Sequence, residues 1–334
     1  FKDDLKALLA FSTVSHLGLI TMLLGFGTKF AAVAAVFHII NHATFKAALF
    51  MSAGIVDHEA GTRDIKRLGG LRHLMPLTFT LATVAALSMA GIPPFNGFIS
   101  KEMMLDATVH AEWMASPYLV PALAVLAALF SAAYSFRLIA HVFMGKERDD
   151  YPHPPHDPGP GLWLAPAILV TLVVLIGLFS KAVAGPLVAT ASSAVIGGEK
   201  LPYYSLKLWH GFTPALYMSI VAVLGGVILL ALHRHLEKVW NALPRPEAKA
   251  IFEGIIGAFI RFSRWVTDRL HNGVISRYAA IFVFFTVGLA WYAYATGTTG
   301  LPTRLPLEAP LVPIIGWICL VAATLAIMWF HRNR

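Results

Sequence analysis

The run Phe37-His38-Ile39-Ile40-Asn41-His42-Ala43-Thr44-Phe45-Lys46 sets His38, His42 and Lys46 at successive i, i+4 steps. On an α-helix that spacing places the three side chains along one stripe. Imidazole accepts a proton at one nitrogen and releases one at the other near neutral pH, so a His-His-Lys stripe suits a proton relay. The competing reading is three polar groups that only bridge helices. A second chemistry-bearing run is Gly91-Ile92-Pro93-Pro94-Phe95-Asn96-Gly97, followed by Lys101-Glu102. Tandem prolines remove two amide donors and interrupt a helix. Lys101 then falls just inside a second half-helix as a switchable charge. Glu102 lies about 100° further round, set to meet a neighbour or another cation. Ser12, Ser15 and His16 share one face of an earlier helix and could carry a water chain inward from Lys6, although small polar residues at helix contacts are also ordinary glue. Tyr134 and Arg137 read as a snorkelling anchor more readily than as a gate. Other chemistries fit less well. Bis-histidine haem ligation would leave His16 as the one clear partner for His38 or His42. The histidines of Tyr151 to Gly161 (YPHPPHDPGPG) read as part of a stiff solvated loop rather than a metal site, and Cys319 has no partner for a disulfide. No cofactor and no metal are expected.

These groups need elements that hold them in an apolar medium. The chain has 334 residues, 57% hydrophobic and 13% charged, against about 25% charged in an ordinary soluble domain. Apolar stretches recur near Leu8 to Gly27, Phe30 to Ile55, Pro76 to Ala111 (broken), Pro117 to Phe143, Leu162 to Ala184, Phe212 to Leu232, Tyr278 to Tyr294 and Pro310 to Phe330. Each can cross about 30 Å of hydrocarbon, and a segment in lipid must satisfy its own backbone, so an all-α polytopic bundle of about eight spans is predicted. Threaded so, Lys29, Lys181, Lys200, Lys207 and Arg304 fall on one side. Every other lysine and arginine falls on the opposite side, the in-span Lys46 and Lys101 excepted. The positive-inside rule makes that second side, with both ends of the chain, cytoplasmic. The net charge of +8 is then topogenic, and no nucleic-acid partner is implied. Leu243 to Asn272 differs: Ile251, Phe252, Ile255, Ile256, Phe259, Phe262, Val266 and Leu270 gather on one arc opposite Lys249, Glu253, Arg261, Arg264 and Asp268. That pattern predicts a helix lying along the membrane surface, started by Pro244 and Pro246 and ended by Asn272-Gly273. The opening Phe1-Lys2-Asp3-Asp4 reads as the start of an excerpt from a longer protein.

Three runs carry a resemblance: Asp4-Leu5-Lys6 through Phe11-Ser12-Thr13-Val14-Ser15-His16-Leu17-Gly18, FHIINHATFKAALF at 37 to 50, and GIPPFNGFISKE at 91 to 102. They resemble the proton-translocating subunits shared by Mrp-type sodium/proton antiporters and respiratory complex I. SHLGLITMLLG and GIVDHEAGTRDIKRLGG are most similar to the large A subunit of the Mrp (Pha) antiporter. The resemblance implies that Lys101 matches the lysine of the family's second broken helix, and that His38, His42 and Lys46 match its relay helix. It implies a fold of two inverted five-helix units, the first of which carries an essential glutamate and lysine and precedes this segment. Taken alone, the segment should not transport. The implied organisation is the second half of a translocation core at 1–145, added transmembrane helices at 146–242, the lateral amphipathic helix at 243–276 and further spans at 277–334. The implied function is cation (Na+)/proton antiport in a bacterial cell membrane. Its partners would be the other subunits of a multisubunit complex, protons, sodium and membrane lipid. The path would run through Lys6, Ser15, His16, His38, His42, Lys46, Lys101 and Glu102, with the two buried lysines facing a hydrated cavity. Rival readings are a proton-pumping subunit of complex I or of a membrane-bound hydrogenase, and a structural scaffold without transport of its own.

Overall fold

A computed structural model describes residues 2–111, 116–243, 248–271, 273–297 and 311–332. Phe1, Pro244, Arg245, Pro246, Asn272, Arg304, Pro310 and Arg334, which carry part of the topology and helix-end expectations, lie outside these residues. The described residues form helices α1 (Leu5–Gly25), α2 (Lys29–Ala60), α3 (Leu71–Leu74), α4 (Pro76–Ala90), α5 (Asn96–Val109) and α6 (Leu119–Leu138). They continue with α7 (Pro160–Val183), α8 (Gly185–Val195), α9 (Pro214–Ala231), α10 (His233–Ala242), α11 (Ala248–Leu270), α12 (Ile275–Thr296) and α13 (Leu311–Arg332). Helix α6 runs on as a π turn over Ile139–Phe143. The protein is a polytopic membrane helix bundle. Among the described residues seven helices are long and apolar enough to cross a bilayer singly: α1, α2, α6 with its π turn, α7, α9, α12 and α13. Helices α4 and α5, of 15 and 14 residues, fall short of a span alone, since about 20 residues are needed. Helix α8 is a short apolar helix that the span pattern did not anticipate.

The chain forms two compact units, 1–244 and 245–334. In the first, α2 is central: 67% of its most apolar stretch is buried, against 33% for α1 and 28% for α7 and α9. Helices α1, α4, α5 and α7 all pack on it. Leu9, Phe45, Leu49, Met75, Met89, Phe143 and Val173 fill the contact between these elements. Asp4 starts α1 by accepting the Ala7 amide at 2.7 Å, and Thr28 starts α2 by accepting that of Ala31 at 3.3 Å; each satisfies an amide that the first turn leaves free. The proline-rich loop is docked rather than merely solvated. Asp157 accepts the amides of Leu77 and Thr78 at 2.8 and 2.9 Å, capping α4. In the second unit, Ile255, Phe259 and Phe262 of α11 are all more than half exposed, and α12 buries none of its residues.

Candidate functional site: a buried polar line across the bundle

The element that positions the site is the break between α4 and α5. Helix α4 closes at Gly91, whose φ of 86° is a left-handed geometry that glycine adopts without strain. Ile92, Pro93, Pro94 and Phe95 turn the chain before α5 begins at Asn96. Non-helical backbone at membrane depth needs partners within the protein, and Asn96 supplies several. Its side-chain Nδ2 donates to Asn41 Oδ1 at 3.1 Å and Thr44 Oγ1 at 3.0 Å, while its Oδ1 accepts from Ser88 Oγ at 2.7 Å. Asn41 Nδ2 donates to the Asn96 carbonyl at 3.1 Å, and the Gly97 amide donates to Ser88 Oγ at 3.0 Å. A side chain at Gly97 would run into the Ser88 carbonyl, so the close approach requires glycine. The break is thus clamped to the middle of α2, at Asn41 and Thr44, within a turn of His38 and Lys46 respectively.

From this clamp a continuous polar line crosses the bundle. Lys101 Nζ donates to the Met89 carbonyl at 2.5 Å and to Ser131 Oγ of α6 at 2.8 Å. Ser131 Oγ stands 3.2 Å from His16 Nε2. His16 Nδ1 and His38 Nε2 are 2.9 Å apart, and His38 Nδ1 lies 3.0 Å from Ser100 Oγ. Tyr134 donates its hydroxyl to Ser131 Oγ at 3.0 Å, with Ser15 beside it. His16, His38 and Ser100 are fully enclosed, and Lys101 is 6% exposed.

Lys46 belongs to an adjoining cluster. Its ammonium donates to Ser12 Oγ, to the Leu9 carbonyl at 3.4 Å and to Met89 Sδ at 3.3 Å. The two lysines therefore meet at Met89, Lys101 at its carbonyl and Lys46 at its sulfur. A cavity of about 20 Å³ borders Lys101 among Leu19, Met22, Leu23 and Met104, and one of about 370 Å³ borders Ser12 and Tyr134. Neither lysine has a carboxylate within ion-pair distance among the described residues.

Three of the expected groups stand apart from the line. His42 touches the His16 and His38 rings at centroid distances of 5.2 and 6.1 Å, but its buried Nε2 has no hydrogen-bond partner. Lys6 pairs with Asp57 at 2.6 Å at the half-exposed end of α1 and α2, with no hydrogen bond among the described residues to Ser12 or Ser15. Glu102 faces the other way, accepting from Thr213 Oγ1 at 3.4 Å and lying 3.6 Å from His210 Nδ1. Arg137 anchors the N-terminal segment, donating to the Lys2 carbonyl at 2.6 Å and to Asp3 at 2.7 Å. Ser100, Ser131, Asn41, Asn96, His210 and Thr213 join the site without having been singled out in the sequence. Asn41, Asn96 and Ser100 lie inside the runs at 37 to 50 and 91 to 102, while Ser131, His210 and Thr213 lie outside them. The one available signal was Ser131 lying one turn before Ser135 in an otherwise apolar span.

Residues 1–131 match the family described as NADH:quinone oxidoreductase/Mrp antiporter, TM. The chain is 43% identical over 312 residues to the A/B subunit of a probable K+/H+ antiporter of Rhizobium meliloti, a match covering 90% of this chain and 31% of the relative. It is 36% identical over 364 residues to the A subunit of the Na+/H+ antiporter of Alkalihalophilus pseudofirmus, covering 99% of this chain and 45% of that one. Its fold superposes on a chain of the Mrp complex from Dietzia sp. DQ12-45-1b with a TM-score of 0.69 at 33% identity, over 97% of this chain and 35% of the other. The chain thus spans less than half the length of the curated relatives it matches. The break, the buried lysine and the histidine line all fall within residues 1–131, the segment that matches the NADH:quinone oxidoreductase/Mrp antiporter family.

Proposed function

We propose that this chain forms part of the proton path of a multisubunit antiporter that exchanges a monovalent cation, sodium in the first instance, for protons. The observation that carries this reading is the unbroken line from Lys101 through Ser131 and His16 to His38, buried and without a carboxylate partner. An ammonium at the centre of a span costs about 2.5 to 3.5 kcal/mol on insertion scales. A scaffold gains little from two such groups, whereas a relay uses their loss and recovery of a proton. Ser131 can accept from Lys101 and donate onward to an imidazole, and each histidine can take a proton at one nitrogen and release one at the other. Lys46 and Ser12 extend the path toward the end where Lys6 and Asp57 lie, His42 lies against both relay rings, and Glu102 opens it at the opposite end.

The same reading takes the Lys6 end as cytoplasmic and the membrane as a bacterial cell membrane, on the asymmetry of lysine and arginine. It divides the chain into a core half at 1–145, added helices at 146–242, a helix lying along the membrane at 243–276 and final spans at 277–334. The charged arc of α11 opposite Ile255, Phe259 and Phe262 supports the third of these.

The test is Lys101→Ala and Lys101→Arg in the complete, purified complex reconstituted in liposomes. Both variants are expected to assemble and to lose exchange, because a guanidinium does not release its proton. Normal exchange by Lys101→Arg would show that a fixed charge suffices and would remove the relay.

A further inference from the structure

A cavity of about 1030 Å³ lies at the end of the first unit opposite Lys6 and Asp57, where α1 ends and α2 begins. Its walls come from Phe26, Phe30, the second half of α5, the start of α6 and the segment from Tyr203 to Ala215. Glu102 and Asp106, one helical turn apart on α5, both line it, as do His210 and Thr213. Glu102 is only 5% exposed. One carboxylate oxygen accepts from Thr213, while the other, Oε2, is buried with no hydrogen bond. The nearest nitrogen, His210 Nδ1, stands 3.6 Å from Oε2, within ion-pair distance when the ring is protonated but too long for a good hydrogen bond.

A buried carboxylate oxygen without a donor is costly, and a hard cation is the ligand that satisfies it, because such ions take oxygen ligands. We propose that Glu102 Oε2, the Asp106 carboxylate and Thr213 Oγ1 form a binding site for a monovalent metal cation at the inner end of this cavity. The donor set argues against a divalent ion. Calcium takes about six to eight oxygens and magnesium a tight octahedron, whereas the described residues hold no metal-binding group of three acidic, histidine or cysteine side chains. Two carboxylates and a hydroxyl suit an ion that keeps part of its water, and the cavity has room for that water. Glu102 follows Lys101 in the chain, so the site adjoins the proposed relay and lets one carboxylate hold either a proton or a cation. His110, also on the wall, is the other titratable group facing this space besides His210, Tyr203 and Tyr204. The inference rests on the antiport reading only for the identity of the ion as cargo.

The experiment uses the complete complex, with choline chloride exchanged for sodium or potassium chloride at constant ionic strength. Cation-induced infrared difference spectra in the carboxylate region report occupancy, and exchange in proteoliposomes reports KM for the cation. The wild type and Lys101→Ala are both expected to show a carboxylate band shift. Glu102→Gln should lose the shift, and Glu102→Gln and Asp106→Asn should each raise KM at least tenfold. Thr213→Val should raise it less. An unchanged spectrum and KM in Glu102→Gln would overturn the site. Retention of the infrared shift by Lys101→Ala together with normal exchange would overturn the relay while leaving the site standing. Should Glu102→Gln fail to assemble, His210→Gln decides. A cation site keeps its band and its KM falls or holds, whereas a carboxylate held only by the histidine loses stability and shows no cation-dependent band in either protein.

Discussion

The polar line of residues 1–244 and the helices of residues 245–334 use similar amounts of apolar sequence to opposite ends. In the first unit α2 buries His38, Asn41, Thr44 and Lys46 among neighbours that answer almost every polar atom. In the second, Phe284, Phe285 and Trp291 of α12 are 70 to 76% exposed within the chain. Hydropathy alone cannot tell these apart, since both kinds of helix are long and apolar enough to span. What separates them is small and polar residues at the contacts. Helix association in lipid depends on close packing and hydrogen bonds rather than on apolar surface, so the unit with a polar interior holds itself together. In the other unit α12 buries none of its residues.

The most severe test of that contrast is Gly97→Val. The new side chain would strike the Ser88 carbonyl and force α5 off the clamp, at a cost of about 3 kcal/mol. Thermal unfolding of the purified complex should show a large loss, with little of the variant recovered in assembled form. An unaffected midpoint would mean that the break is not held where the structure puts it.

Asn96→Ala comes next. It removes the bonds to Asn41, Thr44 and Ser88 and leaves their buried groups unanswered, a loss of about 1 to 3 kcal/mol. Exchange should fall as well, because Ser100 and Lys101 ride on the same half-helix. A stable variant with full exchange would show that the clamp neither stabilises the break nor positions the lysine.

Much of this first unit was legible in the sequence. The apolar runs gave the spans, tandem proline pointed to Gly91 to Gly97, and i, i+4 spacing put His38, His42 and Lys46 on one side of α2. The connectivity was not legible. His16 was read as part of a water chain from Lys6, yet it contacts His38 and Ser131, residues 22 and 115 positions away. His42 shared the stripe but not the hydrogen bonds, because a one-turn step along α2 moves it away from Ser100 and Ser131. Asp157 was hidden in a proline-rich loop, since the amides it caps belong to a helix some 80 residues earlier. Periodicity shows which face a residue occupies and is silent on which residue of another helix stands opposite.

At the edge of the first unit a smaller effect is expected from Asp3. Burial alone would raise its carboxyl, but hydrogen bonds from Lys66 and Arg137 outweigh that and hold it below the usual carboxylate range. A depressed folded value means that the pairing contributes fully above the unfolded value and is lost as pH falls through the folded one. Asp3→Asn should therefore cost about 0.2 to 1 kcal/mol at neutral pH and nothing once the wild-type carboxyl is protonated. The two unfolding curves should converge on acidification. Parallel curves down to low pH would show that Asp3 is not paired in the folded protein.

The smallest effect sharpens the contrast most. Trp291 and Phe284 are 70 and 76% exposed, so truncating either to alanine removes little packing. Exposed positions of this kind usually change stability by about 0.5 kcal/mol or less, whereas truncating a buried aromatic such as Phe45 costs about 3 to 5 kcal/mol. Limited proteolysis of the chain in detergent should thus give the same protection of residues 1–244 for Trp291→Ala as for the wild type, while Phe45→Ala exposes new cleavage sites there. On the proposed function, the same Trp291→Ala change in the complete complex should leave the unfolding of the first unit unaltered. If Trp291→Ala instead loosened residues 1–244 in the isolated chain, those residues would not be a self-sufficient fold, and the contrast between the two units would have to be redrawn.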